Sequence, residues 1–349
     1  MISLQHHRYG SIVRASLTEH SVLIALVTLH LLAALLVQAS FSARQLQISS
    51  VIFSMLIAPV FTLCGYVVYV MAVVRPHHLL RHLGGTLQTY VSRDRLLFAL
   101  PAIVLIPVFA ASFSLIKSSL PLMHPFSWDE RLAGADLLLH GGVQPWVWLQ
   151  VLLGHPYITS AINAAYHFWF FLMFGMLYWM AFAVEQRQLR MQFLLSFVAS
   201  WILLGNVLAF CLSSAGPCYF ALVSNAADPY AGLLHYLHQA SEQAAVPALA
   251  MQDLLWHDQS RVSVSSAYGI SAMPSMHVAS AALLALLGWR LHPAAGIALT
   301  LFFAVILVGS VHLAWHYAVD GYVAAVGAAL IWMLSGWLSR KLVEVRHGH

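Results

Sequence analysis

Charge is what this sequence has least of. Asp, Glu, Lys and Arg together make up 8% of its 349 residues, against about 25% in soluble domains. A chain so poor in charge cannot coat itself for water, which excludes an ordinary soluble globular class. The net charge of +4 is small and scattered, so no basic patch points to nucleic acid. Cysteine is scarce too. The three present, Cys64, Cys211 and Cys218, form an odd set without metal-ligand spacing, which argues against a disulfide framework and a zinc site. A His-Glu-x-x-His metalloprotease motif is absent, as are internal repeats and low-complexity linkers. What abounds is apolar: 61% of residues are hydrophobic, and the mean hydropathy is +0.80. Histidine, at 20 residues, is unusually frequent.

Apolar runs able to cross about 30 Å of hydrocarbon fall near residues 21–39, 50–74, 96–116, 157–183, 192–212, 275–292, 294–312 and 317–338. The first run follows a basic leader and exceeds a typical signal core, so it reads as a retained span rather than a cleavable peptide. Backbone polar groups left bare in lipid are costly, so every span is expected to be helical. The expected fold is all-α, a polytopic membrane bundle of about eight transmembrane helices. Residues 1–116 read as N-terminal membrane helices and 117–349 as a catalytic membrane domain. With the N-terminus placed in the cytoplasm, all but Arg44, Lys117, Arg131 and Arg261 of the 16 Lys and Arg residues fall inside, as the positive-inside rule requires. Both termini are then cytoplasmic. Two long segments lie outside: 117–156, whose "FSWDERLAGADLLLHGG" reads as a short amphipathic surface helix, and 213–274, a candidate roof over a site.

Three ionisable residues converge under this topology. His277 lies in the first turn of the sixth span, within "SAMPSMHVASAALLALLGWR". His316 and Asp320 lie in "LVGSVHLAWHYAVDGYVAAVGAAL", between the seventh and eighth spans. Two membrane passes and a turn separate the histidines, so the chain returns His316 to the face where His277 started. The four-residue spacing of His316 and Asp320 lets the carboxylate meet the imidazole. One imidazole held in the correct tautomer can attack phosphorus, while the other moves protons. Free amides and the positive dipole end near Ser275 attract a phosphate. Other histidines, among them His30, His167 and His312, read as packing or interfacial groups. The aromatic run "AYHFWFF" reads as packing or lipid contact, and tryptophans and tyrosines near span ends as interface anchors. A haem-binding redox protein would need opposed histidines deep in facing helices, and a proton-coupled transporter would need ionisable groups at span midpoints. The boundary position of His277 and His316 favours neither.

At these residues the chain resembles the type-2 phosphatidic acid phosphatase superfamily. "MPSMH" resembles its Pro-Ser-x-His motif at Pro274, Ser275 and His277, and "HYAVD" its His-x-x-x-Asp motif at His316 and Asp320. The wording "GISAMPSMHVA" followed by "WHYAVDGY" is similar to the inositolphosphotransferase-like branch, which includes inositol phosphorylceramide synthase and bacterial relatives and is similar to sphingomyelin synthases. The resemblance implies a membrane lipid phosphatase or phosphotransferase that needs no metal and no cofactor. His316 would be its nucleophile, Asp320 the orienter and His277 the general acid/base. The implied partners are a lipid phosphate (phospholipid, sphingolipid or isoprenoid phosphate), a lipid alcohol or water as acceptor, and surrounding membrane lipids. The implied location is a bacterial inner membrane with the site on the periplasmic face. Two departures concern phosphate binding. The wider family's Arg six residues before the nucleophilic His is Ser310 here, and its Lys-x6-Arg-Pro motif is absent. The positional equivalent of that motif is "SSAGPCYF", containing Gly216 and Tyr219, which carries no cation. A partial match, Lys117-x6-His124-Pro125, lies far upstream of His277. Lys117 and Arg131 are the preferred phosphate-binding cations; Arg44, Arg261, or a protonated His124, His257 or His312 are the alternatives.

Overall fold

The computed structural model describes residues 2–41, 60, 63–68, 70–90, 92–260 and 269–344. Among these residues there are helices and no strand. In chain order the helices used below are α1 (Ile2–Glu19), α2 (Ser21–Phe41), α3 (Leu79–Tyr90), α4 (Arg93–Met123), α5 (Asp129–Leu139), α6 (Pro145–Leu153), α7 (Pro156–Ala181), α8 (Arg187–Ile202), α9 (Ala231–Ser241), α10 (Pro247–Ser260), α11 (Met276–Leu291), α12 (Pro293–His312) and α13 (Ala318–Glu344). A π-helical turn, Leu203–Leu208, continues α8 to Ala209–Cys211.

Six helical stretches among the described residues are long and apolar enough to span a membrane: Ser21–Phe41, Arg93–Met123, Pro156–Ala181, Val184–Cys211, Pro293–His312 and Ala318–Leu342. The protein is an integral membrane protein. Among the described residues the expected count of about eight is not confirmed, for two different reasons. The span expected near 50–74 lies largely outside the described residues, with a shorter apolar helix, Leu63–Val74, at its end. The span expected near 275–292 is α11, only 16 residues long and so about 24 Å at 1.5 Å per residue. Helix α11 is buried along nearly its whole length. It is surrounded by protein instead of lipid, so its length is free of the bilayer's thickness.

Local chemistry sets the ends of these helices. Ser92 caps α4 by accepting the Arg95 amide at 3.4 Å, with Asp94 in the first turn. The helix stops at His124, which is extended (φ −145°, ψ 108°) because Pro125 follows and disfavours helical backbone before it. His292 ends α11 and starts α12 in the same way. It is extended before Pro293, and its Nδ1 accepts the Ala294 amide at 3.2 Å. The hairpin so formed is tight: a Cβ at Gly296 would lie 2.4 Å from the Trp289 ring.

Buried polar bonds hold the bundle together. His30 of α2 receives the Asn206 side-chain amide on Nε2 at 2.7 Å and meets Ser112 of α4 at 2.8 Å through Nδ1. This histidine is a packing residue. His312 plays a similar part, with Nε2 2.9 Å from the Thr159 hydroxyl. Where α2 and α8 begin, Arg190 is fully buried and donates to Glu19 at 2.8 Å, while Arg187 pairs with the same carboxylate. Such a pair is costly to break once it is out of water.

Candidate active site

His316 sits in the turn between α12 and α13, and backbone bonds fix that turn. The amides of Trp315 and His316 both donate to the Ser310 carbonyl at 3.0 Å. Ser310 is fully buried, and its hydroxyl turns back to the Leu307 carbonyl at 2.7 Å. The position where an arginine was expected therefore secures the turn. His316 Nδ1 lies 2.8 Å from the Ala272 carbonyl oxygen and 3.4 Å from Asp320 Oδ2. A carbonyl only accepts, so Nδ1 carries the proton and the lone pair resides on Nε2. Ala272 makes the shorter contact, and Asp320 supports it from behind. Asp320 Oδ2 also accepts the Tyr317 amide at 3.1 Å, and its own carbonyl accepts the Ser275 amide at 3.3 Å. One aspartate thus joins the two motifs. Burial, and then the charge of Lys117, pushes the His316 pKa down to about 3, against the bond to Ala272 that raises it. The imidazole is neutral at neutral pH.

His277 faces this ring, the two centroids 6.5 Å apart. Ser275 caps α11, its hydroxyl accepting the Val278 amide at 3.4 Å, so His277 falls in the first turn. Pro274 and Ser275 are buried immediately before it. Tyr166 stacks on the His277 ring at 4.3 Å and Trp169 packs on it at 4.0 Å. Both belong to the run read as packing or lipid contact. That reading holds for Phe168, which is exposed, but Tyr166 and Trp169 turn inward. With Thr159 and Asn163, Tyr166 marks a buried stripe at four- and three-residue spacing, a helical face visible in the sequence.

The segment 213–219 lies against the histidine turn. A Cβ at Gly216 (φ +106°) would fall 2.7 Å from the Trp315 carbonyl oxygen, and the Cys218 amide donates to the Ala314 carbonyl at 3.0 Å. Tyr219 points elsewhere, its hydroxyl donating to the Gln252 carbonyl at 2.8 Å while its ring stacks on Trp256. Lys117, near the end of α4, donates to the Ser271 carbonyl at 3.2 Å, one residue from the carbonyl that holds His316, and its charge also acts on Asp320. Arg131 is exposed on α5, 4.9 Å over the Trp128 ring. Arg44 and Arg261 lie outside the described residues. The His124 backbone carbonyl accepts the Ser213 hydroxyl at 2.9 Å.

Two carboxylates missed by sequence reasoning organise these loops. Asp129 accepts the amides of Ala215 at 3.0 Å and Gly216 at 2.9 Å, and the Tyr317 hydroxyl at 2.8 Å. Asp136 accepts the amides of Ala318 at 2.7 Å and Val319 at 2.9 Å, capping α13 just ahead of Asp320. Burial raises both carboxyls above the usual range, and these hydrogen bonds pull them back. Asp129, Leu132, Ala133 and Asp136 are all buried, the i, i+3, i+4, i+7 face of one helix. Helix α5 is thus an inward-facing clasp, not only a surface helix.

The arrangement presents a neutral imidazole with its lone pair exposed, a second imidazole facing it, a helix N-terminus and the half-buried amine of Lys117. These are the parts of a nucleophile, a proton carrier and an anion site. Comparisons with known proteins agree in kind. No curated protein and no solved structure matches the chain, but the family model described as the PAP2 superfamily matches residues 130–335. That interval exceeds half of the chain and contains His277, His316 and Asp320. The chain belongs to the PAP2 superfamily.

Proposed function

We infer that this membrane protein moves a phosphoryl group on a lipid through a phosphohistidine at His316. The observation that carries the reading is the orientation of His316: Nδ1 bonded to the Ala272 carbonyl, Nε2 left with its lone pair, and His277 6.5 Å away. In the first step Nε2 attacks phosphorus, the bond from phosphorus to the leaving oxygen breaks, and protonated His277 gives its proton to that oxygen. In the second, neutral His277 takes a proton from water or a lipid alcohol, whose oxygen attacks phosphorus. The phosphorus–nitrogen bond then breaks and its electron pair returns to Nε2. Asp320 and the Ala272 carbonyl stabilise the imidazole while it carries the phosphoryl group. Lys117 and the amides at the start of α11 hold the phosphate oxygens, with Ser275, Pro274 and Gly216 shaping the space, Tyr219 bracing the same segment and Arg131 serving arriving anionic lipid. Hydrolysis and transfer share this intermediate and differ only in the acceptor. The similarity of the two motifs to inositolphosphotransferase-like proteins supports transfer of a phosphorylated headgroup, and the charge asymmetry of the loops supports a periplasmic site in a bacterial inner membrane.

The test is incubation of purified protein in detergent with radiolabelled phospholipids, sphingolipids and isoprenoid phosphates, with EDTA present throughout. Label released as phosphate identifies hydrolysis, and label moved to a second lipid identifies transfer. His316→Ala abolishes both, and Asp320→Asn slows the reaction in a folded protein. Full activity of His316→Ala, or loss of wild-type activity on adding EDTA, contradicts the reading.

A further inference from the structure

The anion site lacks the arginines expected of it, yet a buried hydrogen-bond donor stands beside His277 with nothing to bond. The Trp169 indole nitrogen is buried without a hydrogen-bond partner, its residue 6% exposed, and the Tyr166 hydroxyl, its residue 5% exposed, has the Ser275 side chain as its one polar neighbour. Orphaned buried donors are rare and call for an explanation. The two rings flank the His277 imidazole at 4.3 and 4.0 Å, which sets both residues at the edge of the reaction site. The Tyr166 hydroxyl is also next to Ser275, the cap of α11, where free amides point at an anion.

We propose that Tyr166 and Trp169 form a neutral anion cradle and an aromatic clamp, binding phosphoryl oxygens through the hydroxyl and indole N–H while their rings hold His277 and favour its protonated form. This rests on the phosphoryl-transfer reading and assigns the binding that the missing arginines leave open. Aromatic faces attract a cation, whereas burial disfavours a charged imidazole. A histidine that must carry a proton inside the bundle needs such support. The other groups acting on His277 are His316 from the α12–α13 turn, His167 of α7 and Lys117 of α4, while Asp320 of α13 acts on Tyr166. Neutral donors also suit a buried site in another respect. They stabilise an anion without adding a second uncompensated cation when the site is empty.

The experiment measures inorganic phosphate binding by calorimetry, using the purified full chain in detergent at a series of pH values. Wild type is expected to bind phosphate more weakly as His277 loses its proton. Tyr166→Phe keeps the ring and loses the hydroxyl, and is expected to bind about 10-fold more weakly at every pH. Trp169→Leu removes a ring, and its pH dependence is expected to move about half to one unit toward acid. Trp169→Phe restores the ring, and so the wild-type pH dependence, while affinity stays reduced. A purely structural role would lower thermal stability and move neither quantity. Wild-type affinity and pH dependence in both Tyr166→Phe and Trp169→Leu, or no phosphate binding by wild type, overturns the proposal. His316→Ala keeps the two readings apart. Full lipid activity there sinks the phosphohistidine reading, whereas unaltered phosphate binding by the aromatic variants sinks the clamp alone.

Discussion

Replacing Asp129 by alanine removes a carboxylate that three donors share. The Ala215 and Gly216 amides and the Tyr317 hydroxyl, at 3.0, 2.9 and 2.8 Å, are left buried without an acceptor. Each such orphan costs about 1–3 kcal/mol, so the native arrangement of these loops loses roughly 3–9 kcal/mol if none finds water. A loss of that size unfolds a local element before it unfolds a bundle. The segment 213–219 detaches, Tyr317 loses its anchor, and His316 beside it loses its orientation. Asp129→Asn is milder, because its carbonyl oxygen can replace Oδ1, which receives all three donors. Only the second contact of the Ala215 amide, to Oδ2, is lost, at a cost of about 1 kcal/mol. The assay combines limited proteolysis near residues 213–230, thermal unfolding in detergent, and turnover of labelled lipid. Asp129→Ala is expected to be cleaved faster in that segment and to lose turnover while the helical bundle persists; Asp129→Asn keeps most of both. Wild-type protection and turnover in Asp129→Ala would refute the clasp.

Other outcomes follow from the same geometry. Lys117→Met removes the half-buried amine beside the Ser271 carbonyl, and turnover is expected to fall on the order of 100-fold with helical content retained in circular dichroism. Gly216→Ala forces a side chain into a positive φ and within 2.7 Å of the Trp315 carbonyl oxygen. A cost of about 1–3 kcal/mol is expected in thermal unfolding, together with reduced turnover. Acid should destabilise the protein through His316. Its folded pKa, near 3, lies below the unfolded value of about 6.5, so between these values the unfolded chain binds a proton that the folded one refuses. This contribution to stability is complete above about pH 6.5 and falls by up to about 1.4 kcal/mol per pH unit on acidification toward pH 3. His316→Asn is expected to lose that slope in thermal unfolding measured across the window.

The pairing of His277 with His316 is legible from chain order, because two antiparallel helices joined by a turn must return the chain to the end where it started. The Asp320 contact is half legible. Its four-residue spacing predicts proximity, but the shorter bond to His316 comes from the Ala272 carbonyl, a backbone group that leaves no mark in residue identity. Tyr166 and Trp169 are hidden inside an apolar run, where only the facing of each side chain separates lipid contact from site contact. Asp129 and Asp136 are legible in spacing, since they share a face with Leu132 and Ala133. A short helix bearing charges outside the spans nevertheless suggests a water-facing role until its partners are known. The count of spans is the least legible feature. Hydropathy measures apolarity and not neighbours, so it treats the 16-residue, protein-enclosed α11 like a lipid-exposed crossing.

The central claim is a covalent phosphoryl group on His316, and rapid-quench labelling tests it most directly. Protein mixed with lipid substrate labelled in its phosphate, stopped within one turnover in alkali, is digested and its peptides are mapped. The account predicts acid-labile, alkali-stable label on the peptide containing His316, and none in His316→Ala. Label on a different residue, or full turnover by His316→Ala, would contradict it.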